Sequence, residues 1–228
     1  MEKIGFVGVY DKTDLILSIA KILKETGKKI LIVDNTATQK CRYVVPTISP
    51  AKAYVTEYDG MDVAVGLESI EKIRQYLGLQ ENEQLNYDMM LIDTDNYEGI
   101  VEFDLQTAKK IYYVSSFDAY SLKRGLEVIS QINVPLQMTR LFYSKEMLKE
   151  EEEYFDYLAL GIKVVWDEEK LYFLLENGDQ AAIVENQRIS KIKFKNLSSV
   201  YKENVIYLVN EIDNRIGERK IRAIIKNL

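Results

Sequence analysis

The chain contains no histidine and one cysteine, Cys41, in 228 residues. Without histidine there is no imidazole to act as general base, no serine–histidine triad and no ordinary transition-metal site, so no transition-metal ligands are expected. A lone cysteine excludes an internal disulfide and fits a reducing compartment. Only three prolines are present, which argues against long extended linkers. No apolar run approaches the roughly 18 residues that a membrane-spanning helix needs. The opening MEKIGFVGVYDKTD also lacks the layout of a secretion signal, so a cytoplasmic location is expected. Neither sign of charge dominates: the net charge is −6. That balance disfavours wholesale coating of nucleic acid, and no nucleic-acid partner is expected. What is present is 47% hydrophobic and 29% charged residues, enough for one sizeable core. A single α/β domain over residues 1–228 is expected.

Strand-like and helix-like segments alternate. KIGFVGV is short, apolar and bounded by Gly5 and Gly8, as a buried strand is. TDLILSIAKILKETGKK has helical periodicity, with Thr13 or Asp14 as its cap and Gly27 where a left-handed C-terminal residue belongs. KILIVD is apolar without alternation, which fits a parallel strand covered on both faces. The segment from Cys41 to Leu67 holds two prolines and β-branched runs, predicting a hairpin or edge strands. ESIEKIRQYLGL reads as a short helix ending at Gly78, YDMMLIDTD as a strand, and DLQTAKK as a helix. IYYVSS, PLQMTRLFYS and IKVVWD read as strands, the last ending at Trp166. DAYSLKRGLEVISQI and SKEMLKEEEEYFDYLAL read as helices between them. LYFLLENGDQAAIVE is either a helix or a hairpin turning at Asn177-Gly178, and the run from Asn204 to Leu228 is helical. This alternation predicts a doubly wound, mostly parallel sheet flanked by helices in three α/β/α layers. In such sheets ligands sit beyond the carboxyl ends of the strands.

Three strand ends carry the chemistry. VGVYDKTD places Lys12 and Thr13 at a helix start, LIVDNTATQ ends its strand on Asp34, and MLIDTDN ends on Asp93. A lysine and a hydroxyl at a helix N-terminus, with strand-end aspartates nearby, are the frame of a phosphate-binding loop with a magnesium site. Each element is weak alone; their order and placement together are more specific.

At this point the chain resembles the MinD/ParA family of deviant-Walker ATPases, a branch of the P-loop NTPases. VGVYDKT falls on the family's KGGxGKT, DNTATQ on DxDPQ, and LIDTDN on IIDTPP. The segment IYYVSSFDAYSLKRGLEVISQI is similar to the family's strand and helix after the Walker B strand. The tail from Ser190 to Ile212 is similar to its C-terminal turn and helix. The resemblance therefore spans nearly the whole chain. Gly8, Lys12, Thr13, Asp34 and Asp93 are kept. Val7 stands where the family's signature lysine reaches across a dimer, and Phe6 and Asp11 stand where glycines open and close the loop. Thr36 replaces the second aspartate of DxDPQ, and FYSK lacks the asparagine that contacts adenine.

These departures matter physically. Glycine lets a phosphate loop curl its N–H groups inward and lets phosphate approach. A carboxylate about 4 Å from a phosphate costs roughly 4 kcal/mol at an effective dielectric near 20. Asp11 has two alternatives: to cap the helix or to pair with Lys12. The resemblance and its departures imply a vestigial phosphate loop at Gly8, Asp11, Lys12 and Thr13, with Asp34 and Asp93 as the magnesium or nucleotide residues. The expectation is a non-catalytic, MinD/ParA-like pseudo-ATPase that docks protein partners in a bacterial assembly of the pilus, secretion, conjugation or partition type, with no catalytic residues and no cofactor. The alternative is a weak ATPase using ATP and magnesium, with a nucleotide-held homodimer. A further alternative is membrane or nucleic-acid contact through the basic amphipathic run RIGERKIRAIIK.

Overall fold

A computed structural model describes residues 1–47, 52–80, 83–144 and 148–228. The remaining positions of the loop before the predicted hairpin, and Lys145 of FYSK, lie outside the described residues.

Among the described residues the eight strands are β1 (Glu2–Val7), β2 (Ile30–Asn35), β3 (Tyr54–Tyr58), β4 (Met61–Val65), β5 (Met89–Thr94), β6 (Lys110–Ser115), β7 (Leu136–Phe142) and β8 (Val164–Tyr172). They form one sheet in the order β3-β4-β2-β5-β1-β6-β7-β8. All neighbours are parallel except the β3–β4 pair at one edge. The helices are α1 (Thr13–Glu25), α2 (Cys41–Val44), α3 (Ile70–Tyr76), α4 (Tyr97–Glu102), α5 (Ala119–Ser130), α6 (Lys149–Leu158), α7 (Asn177–Ile189), α8 (Ser199–Ile212) and α9 (Glu218–Asn227). One core cluster joins α1, α7, α8 and α9 to the first face of the sheet, and another joins α3, α4, α5 and α6 to the second. This is the expected α/β/α sandwich.

Local chemistry explains the elements. In α1, Leu15, Ile16, Ile19, Ala20, Ile22 and Leu23 are all buried against the sheet. Each large one stabilises the fold by about 1.5–3 kcal/mol relative to an exposed side chain. Gly27 takes the positive φ of +95° expected after a helix. The β3–β4 hairpin turns on Asp59-Gly60, with φ of +50° and +84°, the signature of a tight two-residue hairpin. Lys21 from α1 pairs with Asp59 at 2.9 Å and locks the hairpin to the first layer.

Several expectations are corrected. The helix predicted over DLQTAKK is a single 3-10 turn, Leu105–Thr107. The true helix there is α4, started by Asn96, whose side chain accepts from the Gly99 amide at 2.7 Å. Trp166 lies inside β8 rather than at its end, because the strand runs on to Tyr172. Of the two readings of LYFLLENGDQAAIVE, the helix is found from Asn177 onward, while Leu171 and Tyr172 still belong to β8. The C-terminal run is two helices, broken at 213–217, where buried Asp213 binds Lys28 at 2.8 Å and Arg215 at 2.7 Å. The apolar face of α9 is already used internally: Ile221 and Ile225 are buried in the first core cluster.

Candidate functional site

All six sequence-predicted residues converge at the carboxyl end of the central strands. Strand β1 continues through Phe6 and Val7, both fully buried. Phe6 stacks on Tyr112 with ring centroids 5.3 Å apart. Val7 sits in the second core cluster, so the position expected to carry an outward-reaching cation is a core side chain. The loop proper is Gly8 to Lys12. Gly8 donates its amide to the Thr94 carbonyl at 3.0 Å and has φ of +138°. A Cβ there would lie 2.1 Å from the Val114 carbonyl oxygen, so only glycine fits.

The loop is closed upon itself. Lys12, 2% exposed, folds back so that its ammonium donates to the Gly8 carbonyl at 2.7 Å. The same ammonium lies 2.6 Å from Asp93 Oδ1. That oxygen is otherwise buried without a hydrogen-bond donor in line. Asp34 and Asp93 face each other across the β2–β5 register. Burial, together with Asp34 nearby, pushes the Asp93 carboxyl up to about 7 despite the attraction of Lys12.

Neither Thr13 nor Asp14 caps α1. Lys12 holds the N-cap position without capping the helix through its side chain, and the amide of Thr13 donates to Asp11 Oδ1 at 3.1 Å. Asp11 therefore supplies the cap, one of the two roles open to it. Its salt-bridge partner is Lys40, not Lys12: Lys40 Nζ donates to Asp11 Oδ2 at 2.6 Å and to Asp14 Oδ2 at 2.7 Å. Burial pushes the Asp11 carboxyl up, but Lys40 and the Thr13 amide outweigh it and hold the group below the ordinary carboxylate range. The other oxygen of Asp14 accepts from Gln187 of α7 at 2.8 Å. No sequence spacing signalled Lys40 or Gln187; they arrive from distant parts of the chain by folding alone.

Asp34 is committed to its own turn. Its Oδ1 accepts from the amide and hydroxyl of Thr36 at 3.1 and 2.7 Å, and its Oδ2 from the Cys41 amide at 2.8 Å. Asp95 accepts from the Ala37 amide at 3.0 Å and ties β5 to the same turn. Cys41 is buried, and desolvation and Asp34 push its thiol up, so it is a packing residue without nucleophilic character. On the other flank, Tyr143 of the FYSK segment packs on Tyr10 with centroids 4.6 Å apart.

No protein-family model and no curated protein matches the sequence. Solved structures do match the fold. A ParA family ATPase from Chlorobium tepidum TLS superposes with a TM-score of 0.59 at 12% identity, covering 91% of this chain and 98% of that one. A protein assigned to plasmid partition, from Borrelia burgdorferi B31 and bound to AMPPNP, gives 0.53 at 11% identity, covering 94% and 98%. The chain has the fold of the MinD/ParA-type P-loop ATPases. A third MinD/ParA-type structure, from the MinC:MinD cell division protein complex of Aquifex aeolicus, gives 0.51 at 14% identity, covering 100% of this chain and 95% of that one. At these identities the likeness is one of architecture, and the chemistry must be read from this chain's own residues.

As they stand, the groups that the resemblance assigns to phosphate and magnesium are engaged within the protein. The helix-terminal amide of Thr13 and the ammonium of Lys12, the two groups that would meet phosphate, are taken by Asp11 and by the pair of Gly8 and Asp93. Both oxygens of Asp34 are taken by donors of its own turn.

Proposed function

We propose that this protein is a non-catalytic member of the MinD/ParA-type fold, a scaffold that docks protein partners and does not turn over nucleotide. The observation that carries this reading is the Asp11 carboxylate on the Thr13 amide, held there by Lys40. It is an internal anion placed where the phosphate of a ligand would need to sit. A helix N-terminus favours one anion by about 0.3–1 kcal/mol, and a covalently tethered one has the advantage over a free one. Three further features support it. Lys12 is withdrawn onto Gly8 and Asp93. The place of the cross-dimer lysine is a buried valine. The Tyr10–Tyr143 packing fills the flank where the resemblance places a nucleobase contact. The bacterial assembly processes named by the family resemblance remain the setting proposed here. The relatives' printed partners, AMPPNP in one and MinC in another, are theirs.

The test is titration with a fluorescent ATP analogue and magnesium. No saturable binding is expected below about 1 mM, corresponding to less than roughly 4 kcal/mol of affinity. Any residual binding should be indifferent to Lys12→Ala. Micromolar binding abolished by Lys12→Ala would overturn the proposal and leave the weak-ATPase reading in its place.

A further inference from the structure

Strand β8 ends the sheet on the side opposite the β3–β4 hairpin. It is nine residues long, its register against β7 shifts between Met138 and Arg140, opposite Asp167–Glu169, and among the described residues no element pairs with its outer edge. Such an edge presents a row of unsatisfied N–H and C=O groups, ready to template another strand. Beside it lies a groove of about 460 Å³ between the end of β8 and α8, with Leu171, Phe173, Ile206 and Tyr207 among its walls.

Charge selects the occupant. Glu168 and Glu169 are exposed in the middle of β8, and Glu203 and Glu218 are exposed beside the groove. Arg222 offsets the last two, and Lys170 is engaged by Glu152. Asp167 is turned inward, to Lys110, Gln137 and Thr139. The exposed mid-strand charge is therefore acidic. A second copy pairing antiparallel about Glu168 would set Glu168 against Glu168 and Glu169 against Asp167, a like-charge arrangement that destabilises a ladder. A basic strand meets the opposite situation.

We infer that the outer edge of β8 and its adjoining groove bind an extended, lysine- or arginine-bearing segment of a partner protein by strand addition. The backbone ladder supplies affinity. Successive residues of β8 face opposite ways, so cations on the face away from the groove meet Glu168, while apolar side chains on the other face enter the groove beside Glu169, which is hydrogen-bonded to Tyr207. This does not depend on whether the loop at Gly8–Lys12 holds nucleotide, so the peptide and nucleotide experiments fail separately.

The experiment uses the full chain and a fluorescein-labelled nine-residue peptide alternating lysine and valine, followed by anisotropy. Saturable binding is expected. It should weaken about tenfold in E168K/E169K, whose sites are exposed and whose fold is checked by circular dichroism. The same variant should gain affinity for the glutamate–valine counterpart. Methylating alternate backbone nitrogens of the lysine peptide should abolish binding to the unaltered protein, a control that needs no variant. Three results would each overturn the inference. One is no saturation up to about 1 mM. Another is equal binding of the N-methylated or glutamate peptide. The third is a dimer of this chain that the peptide dissociates, which would assign the edge to a second copy.

Discussion

Asp93 shares its buried surroundings with Lys12 and Asp34, and desolvation dominates its titration. Its carboxyl sits at about 7, against roughly 3.9 in an unfolded chain. The folded protein then binds more protons than the unfolded one between about pH 4 and 7, so this residue makes stability fall as pH rises through that window. Asp93→Asn is expected to flatten that part of the Tm-against-pH curve, even though it leaves Lys12 buried without its partner and lowers Tm throughout. An unchanged slope from pH 4.5 to 7.5 would refute the assignment, since the window is about 3 pH units wide. Gly8→Ala is expected to cost at least about 2 kcal/mol in urea unfolding, because the side chain meets a backbone carbonyl at a positive φ. The placement of Gly8, Lys12 and Asp93 at one end of the sheet was legible from residue type and order. The partner of Asp11 was not. Lys40 lies 29 residues away, and only the return of the turn after β2 brings it over the loop.

At the scale of elements, buried strands and long periodic helices were readable because their patterns are set locally. The errors have separate causes. At DLQTAKK an apparent helix lost to a stronger start nearby, the Asn96 cap on the Gly99 amide. At the C-terminus a continuous helical pattern was broken by a tertiary ion pair. Asp213 is buried at the break, and Arg215 and then Lys28 hold its carboxyl well below the usual range, although burial opposes them. Its contribution is present above the unfolded pKa of about 3.9 and is lost as pH falls through the folded value. Asp213→Asn is expected to destabilise the fold by about 1–3 kcal/mol near neutrality. The gap from the unaltered protein should close in acid titration monitored by circular dichroism. A gap that persists at low pH would mean that the turn, not the charge, is what the residue provides.

For the whole molecule, the sheet order and the two helical layers put six chosen residues at one end of the sheet, as the doubly wound pattern implied. What the pattern could not convey was whether that end is open, because closure depends on side chains from α1, α7 and the turn after β2 meeting at Asp14. With Val7 in the core and the loop donors occupied, nucleotide should have no effect on assembly. The mass read by sedimentation velocity is expected to be identical with and without magnesium and ATP, at millimolar nucleotide. A nucleotide-dependent doubling would contradict that expectation.

The Lys40 bridge carries a further consequence. Its ammonium joins Asp11 to Asp14 across the entrance of the loop. Were Asp11 exchanged for glycine, a bare amide and a half-neutralised cation would be left facing one vacancy. A single altered codon would then leave the start of α1 open to a small oxyanion such as sulfate.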